Sequence, residues 1–553
     1  MPASGETYES VYRNFRWSIP DFCNAGVGLV DRHAAADPGR RALVYVDADD
    51  TVTEYSFERI RRLSNRLGNA LRGLGVGRGD RVGTVLSQRP ETAVAHVACF
   101  KIGAVSMPLF TQFGPDALHF RLADSGTRVV ITDADNVDKI HAIRRELPDL
   151  AHILVVGPAS PADGLDFHAL LADASDALEA APTRSDDPAL LIYTSGTTGS
   201  PKGTLHAHRF LEAHVPAIDF THDGFPQPGD LFWTPADWAW GGGLLDSLFP
   251  SWQAGVPIVA HRFRKFDPER AFALIAAHGV RNAFMPPTAL KMMREVPAPA
   301  SRWPLAMRSM KSGGESLGAE LLEWGREVFG LTINEFWGQT EANLLTGNSG
   351  RLFPARPGSI GRATPGHRVA VLGEDGRELP PGEVGVLAAR GPDPIFYLGY
   401  WNNPQATADK MRDGWLITGD SGYRDEDGYF WYVGRDDDLI KSGAYRIGPT
   451  EVENCIMKHP AVAMVAVVGS PDPIRGTIVK AFVRTQPGQA GDEALAAAIQ
   501  DHVRRHLAAY QYPREIEFVE DFPMTTTGKI RRRDLRERER ARKLGGAAPA
   551  AGG

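Results

Sequence analysis

The chain holds only three cysteines in 553 residues, Cys23, Cys99 and Cys455, far apart and odd in number. That scarcity excludes a disulfide framework, argues against a structural zinc site and fits a reducing compartment. Long apolar runs are missing as well: no stretch is long enough to span a bilayer. The opening MPASGETYESVYRNF lacks a basic start followed by an apolar run, so no secretory signal is expected. Excess positive charge is also absent. The net charge is −7 with His neutral, no basic stripe crosses the body, and nucleic acid is not an expected partner. The Arg-rich stretch IRRRDLRERERARK mixes both signs and reads as a solvated helix. These absences together point to a cytoplasmic protein.

What is present is a regular alternation. A hydrophobic content of 43% is ample for sizeable cores in several domains. RVGTVLS, TRVVITD, HILVVG, ALLIYTS, RNAFMPP and SMKSGG read as short buried strands separated by helical patterns such as ETAVAHVACFKIGA. The grammar implies an α/β fold: a large N-terminal domain of layered β/α subdomains with mostly parallel sheets. From about Arg368 hairpins dominate, giving a β-rich subdomain, and a small α+β segment follows the polar run GRDDD. The expected domains are residues 1–436 and 437–540, with a disordered tail over 541–553.

Chemistry gathers in a few loops. YTSGTTGSPKG, from Tyr193 to Gly203, follows a strand directly, where α/β folds place ligands. Its glycines admit backbone N–H groups to an anion, its hydroxyls add donors, and Lys202 adds charge. It is no Walker A loop, because Pro201 precedes the lysine and Gly203 follows it. A phosphate pocket and a plain linker both fit the loop taken alone. SMKSGGESLG ends a strand in two glycines and opens a helix at Ser316; LTINEFWGQTEAN ends a strand in Gly338-Gln339-Thr340-Glu341. WLITGDSGY carries the acid Asp420, and DFPMTTTGKIRRRDLR sets Lys529 behind a glycine. Singly, each has an ordinary reading as a cap, a turn former or a solvated charge.

In this order, together with LRGLGVGRGDRV, GEVGVLAARGPDPIFYLGYWNNPQAT and GRDDDLIKSGAYRIGPTEVE, the stretches resemble the adenylate-forming enzymes. These are the AMP-forming acyl-CoA synthetases, luciferase and adenylation domains. The resemblance runs from about Phe57 to Arg536 and is medium-chain-like within the synthetases. It implies ATP, Mg²⁺ and CoA, with a small carboxylic acid as partner and a mobile C-terminal domain; a homo-oligomer stays open. It implies that Thr194, Ser195, Gly196, Thr197, Thr198, Gly199 and Lys202 hold the β- and γ-phosphates, and that Gly313, Gly314, Glu315 and Ser316 line the adenine. Thr340 touches the α-phosphate, Glu341 helps coordinate Mg²⁺, and Asp420 and Arg435 take the ribose hydroxyls. Gln339 and Arg446 complete the nucleotide set, and Lys529 bridges the acid's carboxylate and the α-phosphate.

A hinge is implied at Asp437, with Gly443 and Ala444 lining the path for CoA, although relatives commonly carry glycine at the second position. Gly338 stands where acetyl-CoA synthetases carry a bulky Trp, which implies an acyl group larger than acetate: medium-chain, branched or aryl. Trp240 is the candidate for a second wall, and Ala236, where amino-acid-activating relatives carry Asp, disfavours an amino acid. Two alternatives remain at this point: a stand-alone enzyme that loads a carrier protein, and an inactive nucleotide-binding regulator.

Overall fold

The computed structural model describes residues 6–157, 164–194, 201–435, 438, 440–442, 445–472, 476–507, 511–525 and 529–544. The chain folds into two compact units, Met1–Val369 with Arg390–Leu416, and Ala370–Ala389 with Ile417–Gly553. Among the described residues no helix is long and apolar enough to cross a membrane.

The first unit contains two large sheets. In the eight-stranded one, the central strands Val105–Pro108, Arg81–Val85, Val129–Asp133 and His152–Val156 run parallel, as expected for β/α alternation. Strand β1 (Pro188–Thr194) continues this parallel set, and β2 (Lys202–Ala207) returns antiparallel beside it. The nine-stranded sheet carries β3 (Ser309–Gly313), which hands over to helix α1 (Ala319–Phe329), and β4 (Ile333–Gln339), parallel to β3. Strand β5 (Ala342–Gly347) then pairs antiparallel with β4, and the two-residue strand β6 (Gly399–Tyr400) pairs with β2 in the other sheet.

The connecting helices are bounded by local chemistry. Pro268–His278 opens with the Asp267 side chain accepting from Arg270 N and with proline in its first turn, and it ends on Gly279 at φ 65°. Between the layers, Phe57, Phe100, Phe249 and Trp252 are fully buried, each contributing on the order of 2–3 kcal/mol of burial.

Strand β7 (Trp415–Arg424), most of it in the second unit, and β8 (Phe430–Arg435) form a hairpin that turns through Asp427-Gly428. After β9 (Tyr445–Ile447) come α2 (Pro449–Ile456), the antiparallel pair β10 (Val462–Asp472) and β11 (Gly476–Thr485), α3 (Glu493–His506), β12 (Glu515–Phe518) and α4 (Arg532–Leu544). Helix α4 is the Arg-rich stretch, and it is not solvated all round. Leu535 is buried against Phe482, and the Glu539 side chain is buried and accepts from Lys480 Nζ at 2.6 Å and Ser470 Oγ at 2.9 Å. Lys480 is buried too and also binds Glu517, at 2.6 Å. Burial alone would raise the Glu539 pKa, but hydrogen bonds from Arg542, Lys480 and Ser470 outweigh it and hold the carboxyl at about 2.

Removing that carboxylate leaves a buried ammonium short of a partner, which costs roughly 3 kcal/mol or more. Glu539→Ala is therefore expected to lower the melting temperature of the second unit near neutral pH, read by calorimetry on the full chain. The Glu539 contribution is fully present above pH 4.5 and fades as pH falls toward about 2.

Candidate active site

The phosphate-loop candidate spans the β1–β2 turn. Thr194 and Lys202 are cross-strand partners, and Thr194 Oγ1 donates to the Lys202 carbonyl at 3.4 Å. Ser195, Gly196, Thr197, Thr198 and Gly199 lie outside the described residues. The Lys202 ammonium sits over the ring of Tyr400, 5.1 Å from its centroid. The Tyr400 hydroxyl donates in turn to a Glu341 carboxylate oxygen. Glu341 and Thr340 form the turn between β4 and β5, at the carboxyl end of β4. A single aromatic ring thus connects the cation that ends one candidate loop with the acid that ends the other.

The same segment laces the two turns together by backbone: Tyr397 N donates to Glu341 O at 2.9 Å, and Trp401 N to Gly203 O at 2.7 Å. Gln339, the last residue of β4, accepts from Lys410 Nζ at 3.4 Å. Glu341 offers a hard carboxylate oxygen, the donor type Mg²⁺ prefers when substrate phosphates and water complete its shell, so this residue fits the metal implied by the sequence.

The glycine-rich turn after β3 is held by an unexpected group. Gly313 lies opposite Phe336 in register, and Gly314, Glu315 and Ser316 follow as a loop. The helix starts at Ala319 and not at Ser316, because Leu317 N is drawn away to Glu335 Oε1 at 3.2 Å. Glu335 is buried and its Oε2 has no hydrogen-bond partner. Burial pushes its pKa up to about 8, against the opposing bond from Leu317 N, so the carboxyl is neutral when the loop is in place.

Trp240 packs its ring 5.5 Å from Phe284, which lies 5.9 Å from Phe336, forming an aromatic layer in the core of the first unit. Beneath it, Lys311 on β3 forms a buried ion pair with Asp246 at 3.3 Å, and Asn343 Nδ2 donates to the same carboxylate at 2.9 Å. Burial pulls the Lys311 pKa down to about 8, although Asp246 favours its charged form. Asp246 belongs to the π-helical turn Leu244–Leu248, a deformation that often marks functional positions. Gly338 is demanded by packing, since a Cβ there would meet Leu344 N at 2.4 Å; Gly243 is likewise pressed against Asp237 O, at 2.1 Å from its would-be Cβ. A half-open cavity of about 290 Å³ lies among Phe210, Leu211, His214, Ile218, Leu245 and Phe249, and its lining includes neither Trp240 nor Gly338.

In the second unit Asp420 and Arg435 are direct cross-strand partners, 3.2 Å apart. Asp420 is buried and its N–H donates to Thr418 Oγ1 at 3.1 Å, which orients the acid on β7. Lys529 closes a tight turn: Thr525 N donates to Lys529 O at 2.7 Å, Lys529 N donates to Thr525 Oγ1 at 3.0 Å, and Met524 bridges Ile530. Asp437, Gly443 and Ala444 lie outside the described residues, as does the side chain of Arg446 on β9.

The chain is similar to known proteins over nearly its whole length. A family model described as AMP-binding enzyme matches residues 30–401, and one described as AMP-binding enzyme C-terminal domain matches 451–529. The mitochondrial acyl-coenzyme A synthetase ACSM4 of Homo sapiens is 36% identical over 97% of this chain and 94% of its own length. An acetyl-coenzyme A synthetase of Bacillus subtilis is 35% identical over 96% of this chain and 95% of that protein. Among solved structures, the anthranilate CoA ligase AuaEII in complex with anthranoyl-AMP superposes with a TM-score of 0.86 at 31% identity, covering 95% of this chain and 99% of that one. A benzoate CoA ligase from Burkholderia xenovorans LB400 gives a TM-score of 0.82 at 29% identity, covering 93% of this chain and all (100%) of that one. The chain belongs to the AMP-binding enzymes and, within them, to the acyl-CoA synthetases, the AMP-forming acid:CoA ligases.

Tyr400, Glu335, Lys311, Asp246 and Lys410 went unread in the sequence. Tyr400, Glu335 and Lys311 stood within the quoted stretches GYWNNP, LTINEFWGQTEAN and SMKSGGESLG, but nothing local marked the partners they meet in the fold.

The Glu335 assignment makes a pH prediction. As pH rises from 4.5 toward about 8, the unfolded chain loses this proton before the folded one does, so stability falls across that window. Glu335→Gln keeps an oxygen for Leu317 N and removes the ionisable group. Its melting temperature should exceed the parent's near pH 8 and converge with it near pH 5.

Proposed function

We propose that this enzyme activates a carboxylic acid larger than acetate, medium-chain, branched or aryl, and passes the acyl group to CoA. The acid's oxygen attacks the α-phosphorus of ATP, the bond to the β-phosphate oxygen breaks, and pyrophosphate leaves. The CoA thiolate then attacks the acyl carbon of the mixed anhydride and AMP departs. The first step is electrostatically hard, because an anionic carboxylate must approach a polyanion, so positioned cations and donors supply most of the acceleration.

The observation that carries this reading is the Lys202–Tyr400–Glu341 assembly. Lys202 and Thr194 flank the loop assigned to the β- and γ-phosphates, and Thr340 is assigned the α-phosphate. Glu341 would hold Mg²⁺, whose charge offsets that of the phosphates. Gly313 to Ser316 are assigned the adenine, Asp420 and Arg435 the ribose, and Gln339 and Arg446 the remaining nucleotide contacts. Lys529 is assigned the carboxylate and α-phosphate during adenylation. The hinge is placed at Asp437, dividing residues 1–436 from 437–540, and the CoA path at Gly443 and Ala444. Trp240, packed at a tilt against Phe284, which in turn packs against Phe336, supports a flat or bulky acyl group, in keeping with solved relatives described as benzoate and anthranilate CoA ligases. Three free cysteines support the cytoplasmic assignment.

An ammonium about 4 Å from a negative oxygen is worth roughly 4 kcal/mol at an effective dielectric near 20, or about a thousandfold in rate. Lys529→Ala should slow acid-dependent pyrophosphate release by that order while still converting supplied acyl-AMP and CoA to thioester. Equal loss in both half-reactions defeats the role given to the lysine. Tyr400→Phe removes the hydroxyl that orients Glu341 and should raise the Mg²⁺ concentration for half-maximal activity about tenfold or more, with little effect on the KM for the acid. An unchanged Mg²⁺ dependence defeats the assignment of Glu341. Pyrophosphate release across a panel of acetate, octanoate, branched acids and benzoate tests the substrate class, and preference for acetate overturns it.

A further inference from the structure

The sequence argued against structural zinc because its cysteines are scattered, but the fold brings one of them to a pair of histidines. His502 and His506 lie four residues apart on α3, stacked on one face with ring centroids 4.3 Å apart. Cys455, buried near the end of α2, lies against them, so that one ligand atom from each of the three residues falls within 4.8 Å of the others. We infer that Cys455, His502 and His506 form a binding site for a borderline transition-metal cation of the Zn²⁺ class, which clamps α2 to α3 in the second unit.

The ring orientations suit this role. A metal-binding histidine usually spends its other nitrogen on a carbonyl or carboxylate. His502 Nε2 already lies 3.2 Å from the Cys455 carbonyl, and His506 Nδ1 lies 2.7 Å from the His502 carbonyl. Those contacts leave Nδ1 of His502 and Nε2 of His506 as ligands beside the Cys455 sulfur. A tetrahedral Zn²⁺ sits about 2.0–2.3 Å from nitrogen and sulfur, which sets neighbouring ligands roughly 3.5 Å apart. Ligand atoms that lie within 4.8 Å of one another therefore need to close by at most about 1.3 Å.

Thiolate and imidazole select such a cation over Mg²⁺ or Ca²⁺, which take oxygen. On binding, the S–H bond of Cys455 gives way to a metal–sulfur bond and its proton passes to solvent. His506 is exposed, so solvent reaches this edge of the cluster. His459 walls one side, its ring perpendicular to His502 at 5.7 Å and its Nδ1 accepting from Ala461 N at 3.3 Å.

The test uses the full-length protein, stripped with a chelator and titrated with Co²⁺ as a spectroscopic probe. One equivalent should produce a thiolate-to-cobalt charge-transfer band with four-coordinate visible absorption, displaced by Zn²⁺ and untouched by millimolar Mg²⁺. Cys455→Ser should abolish the charge-transfer band, and His506→Ala, at an exposed position, should weaken Co²⁺ binding by at least about tenfold. Cys23→Ser and Cys99→Ser should leave the spectrum unchanged. Acid-dependent pyrophosphate release confirms that each variant is folded. A parent protein without the charge-transfer band, or binding that is the same in Cys455→Ser and His506→Ala, overturns the site.

Discussion

A hydroxyl on a two-residue strand governs the arrangement of the first unit's chemistry. Tyr400 donates to Glu341 while its ring supports the Lys202 ammonium. The phenol donor fixes the direction of the Glu341 carboxylate without adding a competing charge. Backbone bonds from Tyr397 and Trp401 hold the strand to both turns, so the position of the ring follows from the fold of two sheets and not from a flexible loop.

Around this assembly the unit tolerates ionisable groups in places that favour their neutral forms. Glu335 is buried with its second oxygen unpartnered, yet it supplies the acceptor that keeps Leu317 out of the following helix. Lys311 and Asp246 are sealed beneath an aromatic layer, where desolvation offsets much of their attraction. Such pairs contribute little net stability. Asp246 joins β3 through Lys311 and β5 through Asn343, so one carboxylate on the π-helical turn contacts both strands.

The fold class was legible because the evidence for it is local. Short apolar runs closed by Gly or Pro punctuation can only be buried strands in a β/α repeat, and the strands read from TRVVITD, ALLIYTS and SMKSGG appear where expected. The motifs that identify the family were legible for a related reason: each is a short local run of glycines, hydroxyls and a charged residue. Ser316 was read as a helix start because serine is a good cap, and the reading failed through a contact from a residue 18 positions away from Leu317. The Arg-rich helix was read as solvated because charge dominates its composition; its buried face consists of Leu535 and a glutamate whose partners lie on β10 and β11.

By itself, then, the order of residues determined the family and with it the reaction class of this chain, and it supplied the candidate groups of the site. Only tertiary structure decided which of these groups touch and what surrounds them. Tyr400 and Glu341 are 59 positions apart, Lys311 and Asp246 are 65 apart, and Cys455 reaches His502 across 47. No periodicity encodes such pairs, because each arises from two elements being packed together by burial of their apolar faces, and the polar partners come into contact as a consequence of that packing.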